Sequence, residues 1–145
     1  MFTQSADYAF RAVAHLAVCR ERATTVPQMA EAIGVNAPYL RKVIKKLGDA
    51  EIVDVQRGSG GGITLVSDPR ELTLLDVLNA VSPVQHFEGC PLGLPEHVRL
   101  CGLHAELEAA ICHVEEVLAS RSIAELIAQR RSSAQCKFPY TTSCR

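Results

Sequence analysis

Four cations and no acid lie between Asn36 and Leu47: Arg41, Lys42, Lys45 and Lys46. Shortly afterwards the stretch VQRGSGGGITL, Val55 to Leu65, sets Arg57 beside four glycines. Cations at this density suit phosphate oxygens and guanine edges. An arginine on a slim glycine turn can reach a narrow minor groove, because no Cβ obstructs close approach to the DNA backbone. Two plainer readings compete. The cations can be an ordinary solvated helix face, and Gly60, Gly61 and Gly62 can serve only a tight strand reversal. A phosphate-binding loop does not fit, since it needs a following helix and usually a lysine. A second chemistry is written in six cysteines: Cys19, Cys90, Cys101, Cys112, Cys136 and Cys144. The N-terminal stretch lacks the pattern of a secretory signal, and no apolar run approaches the roughly 20 residues of a membrane span. A cytoplasmic chain is therefore expected, where reducing conditions favour metal or redox chemistry over a disulfide framework.

The elements that must position these residues are mostly helical. Ser5 can cap a helix from Ala6 to about Arg22, with Ala9, Val13, Leu16 and Ala17 at helical spacing and Cys19 on the same apolar side. Thr25 and Pro27 start a second helix that passes Met29, Ala30 and Ile33 and meets Gly34. Asn36 caps a third, with Pro38 in its first turn and Leu40, Val43, Ile44 and Leu47 inward. Two β-rich runs follow, Ile52–Gln56 and Gly62–Val66. Thr73 caps a helix over Leu74–Val81. Residues 82–100 read as a loop, broken by Pro83, Pro91 and Pro95. A long helix runs from about Cys101 to Ser120, and Leu107, Ala110, Val114 and Val117 give it a seam for a partner helix. Ser122 caps a last helix to about Arg131.

This order predicts a mainly α fold: a winged helix-turn-helix with a two-stranded β wing, followed by a long C-terminal helix. The expected organisation is a DNA-binding unit over 1–68, a connecting helix and cysteine-containing loop over 69–100, the long helix and its successor over 101–131, and a tail over 132–145. Residues 1–69 carry eight basic and seven acidic side chains, net +1; residues 70–145 carry seven and nine, net −2. A chain of net charge −1 does not announce a nucleic-acid binder, so the argument rests on local placement. A recognition helix points its N-terminal residues at base edges, here Asn36, Ala37, Pro38 and Tyr39. Arg41, Lys42, Lys45 and Lys46 would meet phosphates or guanines, and Arg57, Ser59 and Gly60 would form the wing contact. No CxxC pair, nucleophile elbow or paired-acid constellation is present, which argues against an enzyme. A protein-binding winged helix is the other rival, and four cations without an acid on the third helix speak against it.

The stretches DYAFRAVAHLA, APYLRKVIKKL, QRGSGGGITL and LTLLDVLNAV together resemble the Rrf-two (Rrf2) family of bacterial transcription regulators, of the IscR/NsrR type, over roughly residues 1–120. The resemblance implies a homodimer on double-stranded DNA with a palindromic operator, usually repression, and a dimerisation helix starting at Cys101. It also implies an iron–sulfur cluster held by three cysteines, with a histidine or a helix-one acid of the partner subunit as fourth ligand. Cys90 and Cys101 match the outer cysteines, His104 matches the histidine, and Asp7 matches the acid, which would act as the partner subunit's Asp7. The middle cysteine is missing, with His97 in its neighbourhood as a reserve ligand. Cys101 and His104 are three apart on a helix and can converge, and Cys90 can fold back to them. Zinc, a thiol pair or no cofactor are the alternatives. For Asp7 the plain alternative is an ion pair with Arg11, one turn on. Cys112 lies about 16 Å along the helix from Cys101, so it reads as a core thiol.

Overall fold

The computed structural model describes residues 2–20, 22–58, 60–91 and 99–129. Its elements are α1 (Gln4–Val18), α2 (Val26–Ile33), α3 (Ala37–Asp49), β1 (Val53–Gln56), β2 (Gly62–Leu65), α4 (Leu74–Val81), α5 (Gly102–Ala119) and α6 (Ile123–Ala128). The mainly helical fold with a two-stranded antiparallel wing is the expected one.

Helix α1 begins earlier and ends earlier than its sequence suggests. Thr3, not Ser5, caps it, its hydroxyl accepting from the Ala6 N–H at 3.2 Å. The Ser5 hydroxyl is instead 2.6 Å from that of Tyr39, so it ties α1 to α3. The helix stops at Val18 because the chain must turn back to the sheet. There Thr24 pairs with Ile63, through Thr24 N–H to Ile63 O at 3.1 Å and Ile63 N–H to Thr24 O at 2.8 Å. This extra bridge beside the wing has no signature in residue type.

The turn between α2 and α3 follows the expected chemistry. Thr25 and Gln28 form a reciprocal capping box at the start of α2, which satisfies two backbone donors that a helix end leaves open. Gly34 closes α2 at φ +67°, a conformation that costs glycine little and a β-carbon more. Asn36 then caps α3, its Oδ1 accepting from the Tyr39 N–H at 3.0 Å. Leu40, Val43, Ile44 and Leu47 are all buried, at the helical spacing that puts one face inward.

In the wing, Val53 pairs with Leu65 and Gln56 with Gly62. A Cβ on Gly61 would lie 2.3 Å from the Gln56 carbonyl oxygen, so this glycine is needed for the reversal itself. Helix α4 spans the expected residues under a Thr73–Asp76 capping box. Helix α5 then carries the chain outward and α6 brings it back. Ile123 N–H donates to Leu72 O and Ala124 N–H to Pro69 O, both at 2.8 Å. Helix α6 ends at Ala128 rather than near Arg131, which lies outside the described residues. Leu118 and Ile123 join the same buried cluster as Ala6, Leu16, Leu40 and Val77, so one core runs from the first helix to the last. Among the described residues no helix is long and apolar enough to cross a membrane.

Two polar groups inside this frame respond differently to change. Lys46 donates from Nζ to the carbonyl of Val81, the last residue of α4, at 2.7 Å. A cation at a helix C-terminus is favourable there. His15 is 1% exposed, and burial pushes its pKa below 6.5. The unfolded chain takes up that proton near 6.5 while the folded one resists it, so this contribution to stability is intact at higher pH and lost as pH falls below 6.5. Urea unfolding between pH 7.5 and about 5.5 should therefore show a loss of stability that is smaller in His15→Leu than in the unsubstituted protein. Lys46→Met should lower the unfolding free energy by about 1 kcal/mol, while Lys45→Met should stay within about 0.5 kcal/mol in the same measurement.

Candidate nucleic-acid interface and metal centre

Between α3 and the wing lies an open groove of about 710 Å³, and Arg41, Lys42, Lys45 and Arg57 line it. None of these four side chains makes a hydrogen bond or ion pair among the described residues, and all are exposed. Their guanidinium and ammonium groups are thus available for an anionic partner. Asp49 and Asp54 also border the groove. Gln56 donates to Asp54 at 3.1 Å, which occupies part of that carboxylate.

The other candidates divide. Pro38 borders the groove beside Arg41. Asn36 is exposed at the helix start, but its carbonyl oxygen serves the cap. Ala37 and Tyr39 pack against the core. The Tyr39 ring meets Tyr8 edge-on at 5.3 Å, and its hydroxyl is paired with Ser5, so it fastens α3 rather than projecting from it. Lys46 is turned to Val81 and does not line the groove. Arg57 stands exposed after β1, and Gly60 is exposed at the turn with φ +86°. Ser59 lies outside the described residues. Val55, whose residue type gives no hint of a surface role, also lines the groove and is 48% exposed there, because no second layer covers that side of the two-stranded sheet.

A second cluster forms where the loop after α4 meets the start of α5. Cys101 is the residue that caps α5, and its sulfur is 3.2 Å from His104 Nδ1. Cys90 Sγ lies 3.8 Å from the same nitrogen. All three ligand atoms fall within 4.8 Å of one another. The Phe87 ring packs on His104 at 5.0 Å. Sulfur and nitrogen bound to one tetrahedral ion are about 3.5 Å apart, from metal–ligand bonds of about 2.3 and 2.0 Å. The observed separations bracket that edge, so these two thiols and one imidazole fit a metal or cluster.

The remaining cysteines and the acid are placed as follows. Asp7 pairs with Arg11 through 2.9 and 3.0 Å contacts, the plain alternative for that residue, and within its own subunit it faces α4 and α6. Cys112 is exposed and not a core thiol, because α5 buries only Leu118 in this chain. Cys19 is buried, as expected of the apolar side of the first helix. His97, Cys136 and Cys144 lie outside the described residues.

Known proteins share both the sequence and the arrangement. Protein aau3 of Rhizobium meliloti is 32% identical over 136 residues, covering 88% of this chain and 85% of that protein. The HTH-type transcriptional regulator NsrR of Bacillus subtilis is 29% identical over 129 residues, covering 86% and 88%. The solved structure of T. potens IscR has the same fold, with a TM-score of 0.75 at 24% identity over 97% of this chain and 96% of that one. A family model, Rrf2, described as an iron-dependent transcriptional regulator, matches residues 2–129. The chain therefore belongs to the Rrf2 family of DNA-binding transcription regulators, a family of regulators and not of enzymes.

Proposed function

We propose that the protein acts as a homodimeric repressor on a palindromic operator. Its reading heads are α3 and the wing, and its signal enters at Cys90, Cys101 and His104. The observation that carries the signal half is the convergence of those three side chains at the first turn of α5. Helix α5 leaves Leu103, Leu107 and Val117 exposed at 66%, 44% and 51%. Apolar residues in that number on one helix suit a second copy of the same helix. Pairing there would set two α3 helices into successive major grooves about 34 Å apart.

Within each head, Arg41, Lys42 and Lys45 neutralise phosphates or meet guanines. Arg57 reaches the flanking minor groove. Cys90, Cys101 and His104 hold an iron–sulfur cluster, with the partner subunit's Asp7 as the fourth ligand. Support comes from the donor set, two sulfurs and a nitrogen in one place, and from the iron-dependence in the family's description. When bound, such a cluster supplies a centre that alters its charge on oxidation and is lost when iron is scarce. The chain's own part is to tie the loop after α4 to the head of α5, so that the state of this junction biases two arrangements of the reading heads.

Two measurements test the proposal. Arg57→Ala should weaken binding of a specific operator about tenfold or more in a gel-shift titration, with an unchanged thermal midpoint; unaltered binding would remove the wing from the interface. Protein purified without oxygen should show visible absorption with stoichiometric iron and sulfide. A colourless, iron-free sample would sink the cluster, and zinc in its place would make the centre mononuclear.

A further inference from the structure

One turn further along α5 a different set of donors converges. His86, from the segment after α4, places Nδ1 2.6 Å from Glu108 Oε1. Cys112, one helical turn beyond Glu108, has its sulfur 3.8 Å from the same oxygen. The nitrogen, the oxygen and the sulfur all lie within 4.8 Å of one another. We propose that His86, Glu108 and Cys112 form a second metal site for a single divalent cation of the zinc class, separate from the Cys90–Cys101–His104 centre.

The surroundings of the three donors favour a cation over a simple surface ion pair. Glu115, a further turn along α5, takes the other imidazole nitrogen, with Nε2 3.1 Å from its carboxylate. The Phe87 N–H donates to the second Glu108 oxygen at 2.9 Å. Each of these two donors is thus oriented through its far atom, the arrangement that fixes the ring and the carboxylate around bound metals. Nε2–H held by Glu115 leaves Nδ1 as the coordinating nitrogen. In the metal-free state a proton bridges Nδ1 and Glu108; the cation replaces it and also the Cys112 thiol proton, and both leave to solvent. Nitrogen and oxygen must then part by roughly 0.7 Å to reach the edge of a tetrahedral site, whereas the sulfur already stands near its place. Mixed imidazole, thiolate and carboxylate donors suit zinc and select against magnesium and calcium, which take oxygen. Three protein ligands leave a fourth position for water.

Occupancy would matter to the neighbouring centre. His86 and Phe87 stand on the same segment as Cys90, and the Phe87 ring rests on His104. A cation at His86 clamps that segment to α5 without touching Cys90 or Cys101.

The test uses the full chain carrying Cys90→Ser and Cys101→Ser, stripped with a chelator and titrated anaerobically with Co²⁺. One equivalent should bind with tetrahedral visible bands and a near-ultraviolet thiolate-to-cobalt band, all displaced by Zn²⁺. Adding Cys112→Ser should abolish the thiolate band. Glu108→Gln and Glu115→Gln should each weaken Co²⁺ binding about tenfold or more, with far-ultraviolet circular dichroism unchanged. Absence of stoichiometric binding, or a thiolate band that survives Cys112→Ser, overturns the site and leaves an ion pair. Because operator binding and the first centre play no part in the readout, failure of either leaves this test standing.

Discussion

Alanine methyls along one side of α1 set how closely the other elements can come. Ala6, Ala9 and Ala12 are wholly buried, as is Val13. Against α1 pack α2, α3, α4, α6 and the inner strand of the wing. Close helix packing needs small side chains at the crossing, since interiors are filled to near crystal density. One added methylene there would force off-rotamer side chains or backbone shifts, which cost typically 1–3 kcal/mol. How closely α3 and β2 approach one another depends on the side chains that α1 presents to them.

The cationic residues of α3 are divided between two tasks by where they fall on the helix. Lys46 lies on the side toward α4 and is spent on a carbonyl there. Arg41, Lys42 and Lys45 lie toward the wing and keep their charges unmatched. Exposed ion pairs contribute little to stability, so leaving these three unpaired costs the fold little. It concentrates positive potential in a chain whose net charge is −1. Local arrangement, not total charge, makes this groove cationic.

Much of this was legible in residue types. Thr25, Pro27, Gly34, Asn36 and Thr73 mark helix ends by hydrogen-bonding chemistry that acts over three or four residues, and the structure places them there. Two of the differences involve partners distant in sequence. Ser5 looks like a cap until Tyr39 claims its hydroxyl. Lys46 looks free until Val81 is brought beside it. Cys112 looks like core on an apolar helix, yet α5 buries so little in a single subunit that the thiol is exposed. The convergence of Cys90 with His104 was permitted by spacing, but the Glu108 contacts that hold the segment before Cys90 to α5 join residues more than twenty positions apart and leave no local signature.

The return of the chain through α6 has a mechanical meaning. Backbone hydrogen bonds from Ile123 and Ala124 rivet the far end of α5 to the body of the subunit, while its near end is fastened by side chains of the Cys90 segment. An 18-residue helix is a rod about 27 Å long. Pivoting by five degrees about the riveted end sweeps the opposite tip through roughly 2 Å. Small rearrangements at the tip are thereby geared into tilt of the rod, and any subunit leaning on that rod moves with it.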